Sequence, residues 1–224
     1  GGKAALPAAP AKTPAAPVGA RPELSAPPNR ARAILEGMSL EEKVGQMFIA
    51  RCPREDGARL AAQYHLGGYI LFSGDFKGKT PDQVRRTVEE YQQAASLPLL
   101  IGVDEEGGSV VRISKYPLFR ETPFPSPSEL WSSGGPEAVR QDTAEKCALL
   151  RSLGINMNFA PVCDVSLDPA DYIHDRTLGE DASATARYVR AVVEAMEGTG
   201  VAPVLKHFPG YGGNTDTHTS LAYD

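Results

Sequence analysis

Cysteine is scarce in this chain of 224 residues: Cys52, Cys147 and Cys163 are the whole complement, an odd number with no C-x-x-C spacing. That argues against a disulfide framework and a cysteine-built zinc site. Cys163 sits inside an apolar run and reads as a small core residue rather than a nucleophile. No stretch has enough consecutive apolar residues to cross a bilayer. Basic charge is not in excess either, with 23 Lys and Arg against 28 Asp and Glu, a formal −5 with the signs mixed along the chain. A protein that tracks nucleic-acid phosphates would carry a basic patch, so that class drops out.

Apolar material is sufficient for a core, at 42% of residues, but proline is unevenly spread. Seven of the 19 prolines fall within residues 1–28, among alanines. Such a stretch buries little apolar surface and has no helical period, so it reads as a semi-rigid tether. The first residue is Gly1 rather than methionine, which fits a processed or expressed form. Tethers of this kind follow a removed export signal or lipid anchor, which makes the protein exported or envelope-associated. If the segment is instead an expression linker, a cytoplasmic location stays open. The folded part is expected to cover residues 29–224.

From Asn29 onward helical and strand-like segments alternate. Ser39 with Glu42 forms a capping box for a helix at "SLEEKVGQ", and "QMFIAR" reads as a first buried strand. "PREDGARLAAQYH" is helical and "GGYILFSG" a second strand. Thr80, Pro81 and Gln83 cap the helix "TPDQVRRTVEEYQQAAS". "LPLLIGVDEEGG" is the third strand, and a proline-bearing loop runs from it to about Gly135. A long helix, "PEAVRQDTAEKCALLRSLG", stops at Gly154. "INMNFAPVCDV" is the fourth strand, "DASATARYVRAVVEAMEGTG" a helix capped by Asp181, and "VAPVLKHF" the fifth strand.

Short apolar strands separated by helices are the pattern of parallel βαβ units. Two α/β architectures fit, an open doubly wound sheet and a (β/α)8 TIM-like barrel. The first βα turns carry no G-x-G-x-x-G, which weakens a dinucleotide-binding reading. Asp104 ends strand three, Arg176 follows strand four, and Lys206 and His207 end strand five, with Asp216 and His218 in the loop beyond. Every candidate group thus sits at the carboxyl end of a strand. A barrel gathers those ends on one face, where its active sites are built.

The individual stretches leave alternatives open. Asp104 and Arg112 can fork onto adjacent sugar hydroxyls, or form a salt bridge that fixes the loop. Arg176 can hold a ligand or pair with Asp175. In "KHFPGYGGNTDTH", residues 206–218, Pro209 and Gly210 bend the strand end, so that Lys206 and His207 can serve one pocket. Asp216 and His218 are two apart, a spacing that in extended chain puts both on one side. A carboxylate beside an imidazole orients the ring and suits it to general acid work near neutral pH. The alternatives are a metal held by His207, Asp216 and His218, or a dyad that only braces its loop.

Taken together, "KVGQMF", "GGYILF", "VDEEGG" with Arg112, "NFAPVCDV", "DRTLG" and "KHFPGYGGNTDTH" resemble glycoside hydrolase family 3, in its β-N-acetylglucosaminidase branch, from about residue 38 to 224. The resemblance implies a (β/α)8-like barrel and a retaining exo-hydrolase for terminal β-linked N-acetylglucosamine from peptidoglycan-derived sugars, with no metal or organic cofactor. It implies that Asp104, Arg112, Arg176, Lys206 and His207 bind the non-reducing-end sugar, that His218 is the acid/base and that Asp216 orients it. The sequence departs from the family at Tyr211, where histidine is common, and at Ser109, where arginine is common. Both changes bear on aglycone preference. The family's nucleophilic aspartate follows a later strand than the five counted here. The chain is therefore expected to hold about five of eight β/α units, the rest coming from the same or a second polypeptide. A phosphorylase of the same family and a non-catalytic sugar-binding protein are the competing readings; a β-glucosidase would lack the Asp-x-His dyad.

Overall fold

The structure is a computed structural model that describes residues 29–219. The expected tether, residues 1–28, lies outside them. The described chain divides into two compact units at Met38 and Ser39. The first contributes one described helix, α1 (Asn29–Gly37).

The second unit opens with α2 (Leu40–Gln46) on the expected capping box: the Ser39 hydroxyl accepts from the Glu42 amide at 3.2 Å, and the Ser39 amide donates to the Glu42 carboxylate at 2.7 Å. There follow β1 (Ile49–Arg51), α3 (Gly57–Gln63), β2 (Gly68–Leu71), a single turn α4 (Ser73–Phe76), α5 (Pro81–Ala94) and β3 (Leu100–Val103). Then come α6 (Pro127–Ser152), β4 (Met157–Asn158), a 3-10 turn at His174–Arg176, α7 (Ala182–Met196) and β5 (Ala202–Pro203). Thr80 and Asp181 cap α5 and α7 as expected.

The five described strands form one parallel sheet in the order β1-β2-β3-β4-β5. The order follows the chain without reversal, whereas a doubly wound sheet reverses at its switch point. In the β2–β3 pair, Tyr69 lies beside Ile101 and Leu71 beside Val103. Strand alternation puts these four on one face, where they are buried with Val84, Val88 and Tyr91 of α5 and with Leu150 of α6. The opposite face carries Gly68, Ile70, Leu100 and Gly102. A side chain on Gly102 would run into the ring of Phe159, so the glycine is what lets that ring lie against the sheet.

Two expectations need correction. β1 is not a buried strand: Met47 and Phe48 just before it are exposed, and among the described residues β1 pairs on one side only. The segment before Gly135 is not all loop, because α6 begins at Pro127 on a capping box between Ser126 and Glu129. Closely spaced prolines hid that start. Gly134 and Gly135 leave helical geometry, with Gly135 at φ 58°, which explains why the helix resumes at Pro136.

Gly45 lies within α2, where alanine would favour the helix by about 1 kcal/mol. A Cβ there would collide with the carbonyl oxygens of Tyr64 and His65. Gly45→Ala is therefore expected to lower the urea midpoint against its own propensity. Gly74→Ala, in α4, meets nothing within 4 Å and should hold or raise the midpoint. An unchanged midpoint for Gly45→Ala would refute the close approach of α2 to that turn.

Candidate active site

The carboxyl ends of the strands open into a pocket of about 570 Å3, with Ile70 and Phe159 among its apolar lining. Asp104, Arg112, Arg176, Lys206, His207 and His218 all line it. Asp216, the remaining predicted residue, is tied to the pocket through His218.

Asp104 leaves the end of β3. Lys206 is set by an isolated parallel bridge with Val162, four residues beyond the end of β4. The Lys206–His207 and Phe208–Pro209 peptides are cis, and both Lys206 and His207 reach the pocket. The Lys206 ammonium lies 2.8 Å from Asp104 Oδ1 and 2.5 Å from Glu106 Oε1. Arg176 forks onto the same Glu106, Nε to Oε2 at 3.0 Å and Nη2 to Oε1 at 2.8 Å. The side chain of Glu106 is only 2% exposed, so its charge is stabilised almost wholly by these two cations. Arg176 thus pairs with Glu106, the alternative with Asp175 not being realised. Burial works against the Arg176 charge, but the hydrogen bonds and the charge of Glu106, with smaller help from Tyr172 and Tyr211, together raise the pKa.

Arg112 approaches Asp104 at 3.7 Å, an ion pair too long for a hydrogen bond. Its Nε is buried without a hydrogen-bond partner among the described residues, a donor that a ligand hydroxyl would satisfy. The loop that delivers Arg112 is held by Glu105. This fully buried carboxylate accepts from the amides of Arg112 and Ile113 at 2.8 Å and of Ser114 at 3.0 Å, and from the Ser114 hydroxyl at 2.5 Å. Asn158 of β4 exchanges two 3.0 Å hydrogen bonds with the backbone of Glu105, locking loop to sheet.

His207 is fixed from behind by Asp164, whose side chain is 1% exposed. Asp164 Oδ2 meets His207 Nδ1 at 2.8 Å and accepts from the His207 amide at 3.0 Å, while Oδ1 accepts from the Tyr211 amide at 2.7 Å. Burial alone would raise the Asp164 pKa. The hydrogen bonds from the His207 ring and the two amides win, and hold it below the usual carboxylate range. The three side chains weighed as a metal site do not converge. His207 is engaged by Asp164, and among the described residues no group of three His, Cys, Asp or Glu could hold an ion. Burial pushes the Cys163 thiol pKa up, as befits a residue packed rather than poised.

Asp216 and His218 stand together at the mouth, in a turn rather than in extended chain. Asp216 Oδ1 accepts from the His218 amide at 3.0 Å and lies 2.7 Å from its Nδ1, and the Thr219 amide donates to the Asp216 carbonyl at 3.0 Å. The amide and ring of His218 hold the Asp216 carboxyl below its ordinary pKa. The imidazole is 82% exposed and overhangs the pocket.

Residues 39–224 match the family profile described as the glycosyl hydrolase family 3 N terminal domain. The chain belongs to glycosyl hydrolase family 3. It is 34% identical to the β-hexosaminidase LpqI of Mycobacterium tuberculosis over 81% of this chain and 46% of that protein. It is also similar to a solved family 3 β-N-acetylglucosaminidase of Paenibacillus sp. str. FPU-7, at TM-score 0.69 and 34% identity, over 81% of this chain and 35% of that one. A third relative is NagZ of Neisseria gonorrhoeae, solved in complex with N-trifluoroacetyl-D-glucosamine, at TM-score 0.65 and 27% identity over 79% of this chain and 53% of that one. The chain spans about half the length of the curated relatives it matches.

Three members of this family 3 site escaped the sequence reading. Glu106 stands in "VDEEGG" with nothing nearby to mark it, and its partners lie far along the chain. Asp164 ends an apolar strand-like run as Asp104 does, and that same signal would have found it. Glu105 gave no signal, since a carboxylate that binds its own loop looks like any surface acid in sequence.

Because its folded pKa is depressed, Asp164 contributes stability that is full above the unfolded carboxylate value, about pH 4, and is lost as pH falls through the lower folded value. Asp164→Asn should therefore lower the urea midpoint near pH 7, and the gap to the parent protein should narrow as pH falls below the unfolded carboxylate value. A gap that stays constant with pH would show that Asp164 acts without its charge.

Proposed function

We propose that this chain is the N-terminal portion of a retaining exo-β-N-acetylglucosaminidase acting on peptidoglycan-derived sugars. The observation that carries the reading is the Asp216–His218 pair overhanging a pocket floored by Asp104, Glu106, Arg176 and Lys206. The barrel closes, on this reading, with strands beyond this chain. The exposed apolar side chains Phe48, Leu100 and Leu205 support that, since further strands and their helices would cover them. The Ala/Pro-rich composition of residues 1–28 supports reading that segment as a tether and the whole enzyme as envelope-associated.

Asp104, Lys206, Arg176 and His207 hold the hydroxyls of the terminal sugar, and the unsatisfied Nε of Arg112 takes one more acceptor. Charged partners of this kind discriminate a sugar by the hydroxyls it presents. With Nδ1 held by Asp216, His218 exchanges protons through Nε2. The imidazolium protonates the leaving oxygen while the nucleophile, an aspartate outside residues 1–224, attacks the anomeric carbon. The neutral ring then takes a proton from water as the glycosyl-enzyme is hydrolysed. Asp104 and Glu106 are poor candidates for that nucleophile, because Lys206 and Arg176 already pair with them.

In the whole enzyme, His218→Ala is expected to lower kcat on N,N′-diacetylchitobiose by roughly 10²- to 10⁴-fold with little change in KM. Asp104→Asn should instead act mainly on KM, raising it roughly tenfold or more through a lost charged hydrogen bond. Initial-rate kinetics separate the two patterns. Rates that depend on added phosphate, with a sugar phosphate as product, would replace hydrolysis by phosphorolysis. Tight N-acetylglucosamine binding without turnover would leave a sugar-binding protein.

A further inference from the structure

The loop that carries the dyad is held by hydrogen bonds rather than by burial. From Gly212 to Thr219 no residue is buried, and the stretch contains no large apolar side chain to anchor it. The residue just before it is different. Tyr211 is 7% exposed, its ring edge-on to His207 at 4.9 Å and tilted against Tyr172 at 5.4 Å. Its amide is held by Asp164, which also holds His207. From this fixed position its carbonyl accepts from the Asn214 amide at 2.9 Å and the Asn214 side chain at 2.8 Å. Its hydroxyl reaches Thr217 Oγ1 at 3.0 Å, and Thr217 is the residue between Asp216 and His218.

We propose that Tyr211 is a positioning residue for the acid/base: its hydroxyl, through Thr217, ties the Asp216–His218 turn to the rigid floor of the sugar pocket. This rests on His218 being the proton donor. The chain of contacts is continuous. Asp164, buried at the end of the β4 segment, holds both His207 and Tyr211, and Tyr211 then holds the middle of the dyad. The floor that grips the sugar and the ring that protonates the leaving oxygen are therefore referenced to one carboxylate. A small displacement of His218 costs most where proton transfer is most needed, so the effect of the tie depends on the leaving group.

That dependence is the test, made in the whole enzyme. Tyr211→Phe removes the hydroxyl and keeps the ring contacts with His207 and Tyr172. It should lower kcat/KM about fivefold on N,N′-diacetylchitobiose, the weight of one ordinary hydrogen bond, with KM within about twofold. On 2,4-dinitrophenyl N-acetyl-β-glucosaminide, whose aglycone leaves without a proton, kcat/KM should change less than about twofold. Thr217→Val should reproduce the pattern, Thr217→Ser, which keeps the hydroxyl, should behave as the parent does, and the Tyr211→Phe/Thr217→Val double variant should be no worse than either single one. An equal loss on both substrates, or none on either, overturns the proposal. His218→Ala separates the two levels of the argument. If it too is indifferent to the leaving group, the acid assignment falls and takes this inference with it. If it is sensitive while Tyr211→Phe is not, the tie alone is wrong.

Discussion

The site depends on neutralising one carboxylate that water barely reaches. Glu106 is held by Lys206 and Arg176, which arrive from different parts of the chain. Removing one partner from a buried pair typically costs about 3–5 kcal/mol, because the charge left behind has no solvent to receive it. The triad therefore works as a fastener. The loop after β3, the 3-10 turn after β4 and the end of the β5 segment must meet at Glu106, or the charge is stranded. Lys206 also contacts Asp104, so the same constraint that joins the strand ends sets the spacing of the groups facing a ligand.

The three consecutive acids after β3 divide their work by direction. Asp104 faces the pocket, Glu105 turns inward to collect the amides of its own loop, and Glu106 neutralises the two cations. Glycines at 107 and 108 follow with positive φ and pack tightly against Pro125 and Ser126, so the loop folds back closely enough for Glu105 to reach residues 112–114. A single short stretch thereby supplies a pocket-facing carboxylate, a loop clamp and an ionic hub.

What was legible beforehand was local. The helix starts at Ser39 and Thr80 follow from a cap and its partner three residues on, and the strand-end placement of Asp104 and Lys206 follows from apolar runs that end in charge. The start of α6 uses the same cap signal at Ser126, but Pro123, Pro125 and Pro127 made the segment look like loop. Contacts across the sheet were less accessible. Nothing near Glu106 in sequence announces Arg176, and Asp164 shows its importance only when His207 and Tyr211 are seen to share it. The Asp216–His218 contact was anticipated, although the chain reaches it by a turn. The parallel sheet was expected from the βαβ rhythm, while the exposure of β1 was not, since edge position is a property of the sheet and not of the strand.

The vacancy at Gly102 has a consequence of its own. Phe159 lies against the sheet where that residue lacks a side chain, and the same residue lines the cavity. A methyl group there would push the ring into the cavity and make it shallower. The depth of the cavity is thus governed by an atom that β3 does without, and the polar groups that line it need not change for it to be reset.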